Sequence, residues 1–547
     1  MVRTVVVLGS GAAGLTAALA AKRAGAEVDL YEKAETIGGT TALSGGACWI
    51  PINPHAQNAG LSDSRDEALA YLNSLSFGLI DPAMAETLVD RGPDVVNWLE
   101  STTTLKFSVV GGYPDYHPER VGGLPLGGRT LDPGLCSYRE LGKWAKRVTP
   151  SGRVESLTLA ETGMGGGTGH LDAETTARRK AEDLRGCGLS LIGHLLKACL
   201  ECGIVPKTGT RGLDLEIDSG GVSGIQLQES NGTVISRQAD AVVLATGGFE
   251  WNDELVRAFL RGPMSAPVSL ETCTGDGLLM AMRAGASLAN MREAWWTPCV
   301  RIPDPTGWIN RPYLINRERT LPGSIMVNRS GKRFTNEAAN YNSIGGAFHV
   351  LDAVDFGYPN LPAWLIFDQA YLRRYGFAHL TPTDTSPAWL THADSIENLA
   401  AMIGVEPAGI ARTVSQWNTY VDQGKDADFC RGQSVYDTWA GDAAHRGTPQ
   451  GTLGKISAPP YYAVEVLSGA LGTRGGPRTE THGRVLDTRG QPIKGLYAVG
   501  NAMASPTGMV YGGAGGTLGP ALVFGYLAGI DAASGNHCDR IAAPAVD

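Results

Sequence analysis

The stretch from Val5 to Lys33 constrains this chain more than any other part of it. Val5-Val6-Val7-Leu8 is a short apolar run that predicts a buried strand. Gly9-Ser10-Gly11-Ala12-Ala13-Gly14 then turns the chain into an alanine-rich helix reaching to about Gly25. A second strand, Val28 to Tyr31, ends on Glu32 with Lys33 beside it. Strand, glycine turn, helix, strand and acid in this order form a βαβ dinucleotide fingerprint. Gly9 permits the tight turn, Gly11 lets the backbone approach a pyrophosphate, and Gly14 lets the helix pack on the strand. The diphosphate is expected at the helix N-terminus, where free N–H groups and the helix dipole favour negative charge. Glu32 stands at the right distance to take ribose hydroxyls. The fingerprint alone leaves NAD and FAD open.

A chain of 547 residues can bury a large core and is expected to divide into domains. Its 73 glycines follow no collagen-like period and gather in short loops, as expected where backbone must lie close to a ligand. A net charge of −9 argues against nucleic acid or an anionic membrane as the main partner. No apolar run approaches the roughly 18 residues of a membrane span, and the N-terminal apolar run belongs to the fingerprint rather than to a signal peptide. The expected compartment is the cytoplasm. The nine cysteines form no ligand cluster. Cys199 and Cys202 make a CxxC inside an amphipathic helix, without a second pair or a following His, and read as buried thiols.

Small residues dominate Gly38 to Gly46, and Gly39, Thr40, Thr41, Ser44, Gly45 and Gly46 are expected to lie along an extended ligand. Helices are predicted at about 64–76, opened by the capping box Ser64-x-x-Glu67, at about 83–100 and at 187–203. Residues 108–136 read as loop, and Gly163 to Gly169 as a loop or lid. Alternating apolar residues in Leu213–Ile217 and Val222–Leu227 predict a small meander. A buried strand returns before Ala245-Thr246-Gly247, and Gly495–Asn501 is another strand, ending in Gly500-Asn501. A glycine loop and an apolar helix from Gly516-Thr517-Leu518 follow. Both ends of the chain therefore build one α/β domain, 1–295 with 466–547. A Trp-, Tyr-, Pro- and Arg-rich segment, 296–465, caps it as an inserted α+β substrate domain. The fold class is α/β, a discontinuous Rossmann-like domain with this insertion.

The fingerprint, the GGTT stretch, VVLATGG at 242–248 and GLYAVGN at 495–501 together are the set seen in large flavoproteins. On these motifs the chain resembles the fumarate reductase/succinate dehydrogenase flavoprotein superfamily, and within it the 3-ketosteroid dehydrogenases. The resemblance is strongest at 5–50, 239–251, 320–348 and 495–525. It implies FAD, gripped along its length. Attachment is expected to be non-covalent, since 36–50 carries no His where succinate dehydrogenases have one. It also separates two chemistries. Fumarate reductases carry an Arg in the loop before the last helix; here Gly508–Gly515 carries Tyr511 instead, and Asn501 stands where the reductases usually have an acid.

A ketone desaturase must remove a proton α to a carbonyl, so it must stabilise an enolate and supply a base. Tyr511 and the N–H of Gly515 lie four residues apart on one glycine loop and can donate to one carbonyl oxygen, and the resemblance puts carbonyl-binding groups at both places. The resemblance also implies a tyrosine pair as base: Tyr341, in Asn336–Tyr341, and Tyr116, in Asp115-Tyr116-His117-Pro118-Glu119, with His117 an alternative relay. A free phenol, with a pKa near ~10, is a poor base, and a second hydroxyl bonded to it stabilises its anion. The helix start at Gly516-Thr517 is expected against the flavin pyrimidine, favouring its anionic reduced form. Trp49, Trp295, Trp296, Trp308 and Tyr313 are read as the wall of an apolar pocket, and the Arg333-Phe334 segment as a strand-turn bracing the cap.

The expected activity is FAD-dependent desaturation α,β to the carbonyl of a cyclic ketone, a 3-oxosteroid or a smaller cyclohexanone-like compound. Electrons would pass to an external quinone or carrier. One alternative is an ene-reductase of an activated alkene or unsaturated acid, which needs Arg474 or Arg301 on a carboxylate. A flavin-binding electron carrier or sensor is the other, and the large cap argues against it.

Overall fold

The computed structural model describes residues 2–152, 155–303 and 312–535. Trp308 lies outside them. The strand Thr4–Leu8 sits inside a five-stranded sheet between Glu27–Tyr31 and Ala241–Leu244, with Pro492–Ala498 next and Arg484–Leu486 at the edge. The first four run parallel and only the edge strand is antiparallel. Segments about 250 residues apart in sequence thus share hydrogen bonds in one sheet, as Val243 opposite Tyr497 shows.

Two helices, Ala12–Arg23 and Leu518–Ser534, pack side by side over this sheet, and their small residues explain how closely. A Cβ at Gly525 would lie 2.7 Å from the Ala13 carbonyl oxygen, and one at Gly529 would lie 2.3 Å from that of Ala17. Larger residues would separate the helices and tilt both N-termini away from the strand ends. The predicted meander is the antiparallel set Thr210–Asp218, Gly221–Glu229 and Val234–Gln238.

A second, seven-stranded sheet carries the middle of the chain. Its backbone is the 13-residue strand Tyr461–Thr473, which pairs with Ala294–Val300 on one side and Ala363–Asp368 on the other. At the far end of that strand the Thr473 hydroxyl accepts from the Phe249 N–H at 3.0 Å.

Two local expectations change. Residues 108–136 are not wholly loop: Ser108–Val109 and Cys48–Trp49 both pair with Thr130–Asp132. The Arg333-Phe334 segment is irregular rather than a strand-turn. The strand is upstream, Ser324–Asn328, and the chain turns at Gly331 with φ +68°. Arg333 leaves the sheet pattern because its guanidinium is buried in a double ion pair with Glu337 and Asp426 at 2.8 and 2.9 Å. It does brace the cap, through charge instead of strand pairing.

Candidate active site and cofactor cradle

The glycine turn is built so that no side chain fits. Gly9 has φ +108°, and a Cβ there would lie 2.3 Å from the Ala245 carbonyl oxygen; one at Gly14 would lie 1.9 Å from that of Gly9. Gly11 has only the Thr41 hydroxyl near its missing Cβ, at 3.6 Å, so its face stays open for a ligand. The Thr41 hydroxyl accepts from the Ala12 N–H at 3.2 Å, and Ala13 abuts Gly500, whose φ is +62°. Glu32 is buried; one carboxylate oxygen accepts from the N–H and hydroxyl of Ser10 at 2.9 and 2.7 Å, the other from the Ala34 N–H at 2.9 Å. Those bonds fix its plane at the strand ends and leave lone pairs for ribose hydroxyls. Lys33 points elsewhere, onto Asp276 at 3.1 Å and the Thr274 hydroxyl at 2.6 Å.

The rest of the cradle follows the same logic. Ser44 bridges its own loop, donating to the Thr41 carbonyl at 2.7 Å and accepting from the Gly46 N–H at 3.0 Å. Gly45 packs against Leu159, and Gly46, at φ +71°, lies on the backbone of Cys187. Gly39 is left-handed beside Gly11, and the Thr40 hydroxyl meets the Leu270 N–H at 3.4 Å. Thr246 accepts from the Gly277 N–H at 3.2 Å, next to Gly247 at φ +74°. Gly500, Asn501, Gly516 and Thr517 line one cavity with Trp295 and Arg474, at the start of the helix from Leu518. Backbone made approachable by glycine, a fixed buried acid and two helix N-termini are the donor set that an extended dinucleotide requires.

Beside this cradle the three proposed tyrosines meet. The Tyr116 hydroxyl donates to Tyr341 at 2.8 Å, and the Tyr341 hydroxyl to Tyr511 at 2.9 Å. Their rings cross edge-on with centroids 5.1–5.5 Å apart. Tyr341 opens the helix Tyr341–Phe348, capped by the Asn340 side chain. Tyr511 lies over Gly516, where a Cβ would come within 2.8 Å of its ring. The Ala514 carbonyl is held by the Thr130 hydroxyl at 3.2 Å. In a trans peptide the next N–H points the opposite way, so the Gly515 N–H faces away from Thr130, and no acceptor among the described residues takes it.

Burial dominates the acidity of this group. It pushes Tyr116 and Tyr341 well above the ordinary phenol value, and although the Tyr116 hydroxyl acts to lower Tyr341, it does not offset the loss of water. Burial thus opposes the tyrosinate, while the Tyr116 hydroxyl works against that penalty at Tyr341. His117 is bonded to groups other than the tyrosine hydroxyls: its Nε2 meets Asn340 at 3.1 Å and Ser343 at 3.4 Å.

The aromatic wall is also different. Trp295 belongs to it, its ring edge-on to Tyr511 at 4.7 Å. Trp296 does not: it packs on His349 in another cluster. Tyr313 sits in the cap core, bonded to Glu318 at 2.7 Å. Trp49 lies beneath the loop, where a Cβ at Gly513 would come within 2.5 Å of it. Residues without any sequence signal complete the wall: Val110, Tyr113, Leu159, Tyr436 and Trp439. Trp439 stacks on Tyr113 at 5.4 Å and donates to the Met164 carbonyl at 3.2 Å, which fastens the loop Gly163 to Gly169 over the tyrosines. Asp115, beside Tyr116, holds the Trp49 indole at 2.8 Å and Arg129 at 2.8 Å. Burial pushes its carboxyl up to about 6. Tyr116 is then tied to the loop directly, its N–H donating to the Gly512 carbonyl at 2.9 Å.

Arg474 and Arg301 differ sharply. Arg301 is exposed and bonds the Ser265 carbonyl at 2.9 Å. Arg474 is buried, its donors turned to the Gly508 and Val510 carbonyls and the Asn342 side chain at 3.0–3.2 Å.

Residues 4–518 match a family described as FAD binding domain. The chain is 41% identical to a 4-oxocyclohexanecarboxylate 2-dehydrogenase of Sinomonas cyclohexanicum, over 96% of this chain and 92% of that one. It is 36% identical to a 3-oxosteroid 1-dehydrogenase of Mycobacterium tuberculosis, over 96% and 97%. The crystal structure of a 3-ketosteroid delta1-dehydrogenase from Sterolibacterium denitrificans, in complex with 1,4-androstadiene-3,17-dione, superposes with a TM-score of 0.89. It is 34% identical and covers 98% of this chain and 100% of that one. A glycine cradle shaped for a dinucleotide and kinship across nearly the whole length agree: this chain is an FAD-dependent oxidoreductase of the 3-ketosteroid dehydrogenase-like branch of the FAD-binding flavoprotein family.

Proposed function

We propose that the chain desaturates a cyclic ketone, a 3-oxosteroid or a smaller cyclohexanone-like compound, between the carbons α and β to its carbonyl. The observation that carries this is the unbroken hydroxyl chain Tyr116–Tyr341–Tyr511 beside an uncommitted Gly515 N–H. Tyr511 and the Gly515 N–H donate to the ketone oxygen, where negative charge develops as the α proton leaves. Tyr341 takes that proton, and Tyr116 stabilises the phenolate that must form first. Trp295, Tyr113 and Trp439 exclude water, which strengthens both donors. Bound FAD supplies the acceptor for the hydride from the β carbon.

Glu32, Gly9, Gly11, Gly14, the 39–46 loop, Ala245–Gly247, Gly500-Asn501 and Gly516–Leu518 hold the cofactor without a covalent bond in this reading. Lys33 acts by fixing Asp276 rather than by touching the cofactor. The domain at 1–295 and 466–547 carries FAD, and 296–465 closes over the ketone. A quinone or carrier outside the chain takes the electrons, and the cytoplasm is the compartment. Among the described residues no helix is long and apolar enough to cross a membrane. Less favours the alkene-reductase reading: the terminal nitrogens of Arg474 are turned to the Gly508 and Val510 carbonyls and to Asn342, and Arg301 is exposed on the Ser265 carbonyl.

The test is anaerobic bleaching of the flavin by a panel of steroid and small cyclic ketones. Tyr511→Phe should lower kcat/KM by roughly 10²–10³, the usual loss for an oxyanion donor. A value within about twofold of the parent would remove the carbonyl-holding role.

A further inference from the structure

Buried guanidinium groups in this protein mostly have carboxylates. Arg129 lies between Asp63 and Asp115, Arg333 between Glu337 and Asp426, and Arg431 against Glu337. Arg474 is 1% exposed and has none within ion-pair distance among the described residues. Its bonds go to neutral oxygens, and its buried Nε has no partner. The nearest acid, Glu293, is claimed by Arg261 at 3.1 Å. The other titratable groups that act on Arg474 are Tyr511, Tyr341 and the like charge of Arg261. Its guanidinium stacks on Trp295 at 3.7 Å and stands 5.6 Å from the Tyr511 ring.

A buried cation without a counter-ion favours an anion placed beside it; Arg319, bonded to the Glu337 and Ala339 carbonyls, is another such group, but Arg474 is the one beside Tyr511. The same side chain lines the cavity with Gly516 and Thr517, at the helix start that follows the Gly515 N–H. We propose that Arg474 is a positioning residue for the carbonyl-holding site, supplying the fixed positive charge that strengthens the Tyr511 hydroxyl as a donor and favours an oxyanion between Tyr511 and the Gly515 N–H. The arrangement also explains why the guanidinium makes no directional bond to a substrate. It works by charge through Tyr511 while its N–H groups hold the carbonyls at 508 and 510. This inference rests on the function proposed above.

The probe is p-nitrophenol, whose absorbance reports its ionisation, bound to the oxidised FAD-loaded enzyme. The parent should hold it as the phenolate at a pH below its solution pKa. Arg474→Met should lower the bound phenolate-to-phenol ratio at least about tenfold, and Arg474→Lys, which keeps the charge, should restore most of it. Asn342→Asp gives the guanidinium a carboxylate at the site of its 3.0 Å bond without removing the arginine, and should reproduce the Met loss even if Arg474→Met fails to fold. Phenolate retained in both Arg474→Met and Asn342→Asp overturns the proposal, as does an equal loss in Arg474→Lys and Arg474→Met. Failure of the function itself reads differently, as a parent flavin that no cyclic ketone bleaches.

Discussion

A phenol surrounded by other phenols is a weak base made weaker by its surroundings. Tyr341 is raised by burial first, and its nearest relief is the Tyr116 hydroxyl at 2.8 Å. The reactive anion is therefore a minor species at neutral pH, and its population grows with each step towards alkaline solution. kcat/KM should climb with pH and reach no plateau below about pH 10, the free phenol value. Tyr116→Phe removes the stabilising hydroxyl and should push the whole profile to higher pH while lowering the rate at any fixed pH. A pH–rate series on both enzymes checks this; a flat profile between about pH 6 and 9 would mean that no phenol of this kind is the base.

The turn from Tyr511 to Gly516 and the helix from Leu518 act as one element. Gly515 has φ +96°, and a Cβ there would lie 2.5 Å from the Ala47 backbone, so the position tolerates no other residue. Gly515→Ala should cost about 1–3 kcal/mol of stability, and it should turn the N–H off the carbonyl with a large loss of kcat/KM. Gly490, with φ +78° and nothing within 4 Å, is the control: Gly490→Ala should show backbone strain alone and keep its activity. Thermal melts beside steady-state rates separate the two. Much of this element was legible beforehand, because glycine spacing is dictated by local close approach and shows in sequence. Tyr511 and Gly515 stand out on that loop through the resemblance, which puts carbonyl-binding groups at both places. Tyr113, Tyr436 and Trp439 do not, since they reach the site from segments that no period or spacing connects. Nor does sequence distinguish Trp295 from Trp296: the pairing of Trp296 with Ala470 decides which of the two neighbours faces the pocket.

At the scale of the molecule, the proposed cap must hold its shape around the long strand Tyr461–Thr473. Its rigidity comes partly from a buried ionic knot in which Glu337 faces Arg333 at 2.8 Å and Arg431 at 3.1 Å, and Asp426 faces Arg333. Burial raises the Glu337 carboxyl, but Arg333 and Arg431 outweigh it and hold it below its usual range; Asp426 is lowered by Arg333 against the same penalty. Carboxyls with depressed folded-state values add stability above their unfolded values and lose it as pH falls through the folded ones. The cap should therefore loosen in acid, below the ordinary carboxylate range. Glu337→Gln leaves two buried guanidinium groups short of an anion and should cost about 3–5 kcal/mol at neutral pH. Because the knot also anchors the segment leading to Tyr341, with Arg319 bonded to the Ala339 carbonyl at 2.7 Å, activity should fall with it. Asp422→Asn, which breaks the exposed pair between Lys455 and Asp422, should cost at most about 1 kcal/mol. Melting curves of the three proteins from neutral to acid pH test this, with the gap between parent and Glu337→Gln narrowing as the parent's own carboxylates take up protons. A gap that stays constant down to the acid limit would show that the knot holds the cap by shape rather than by charge.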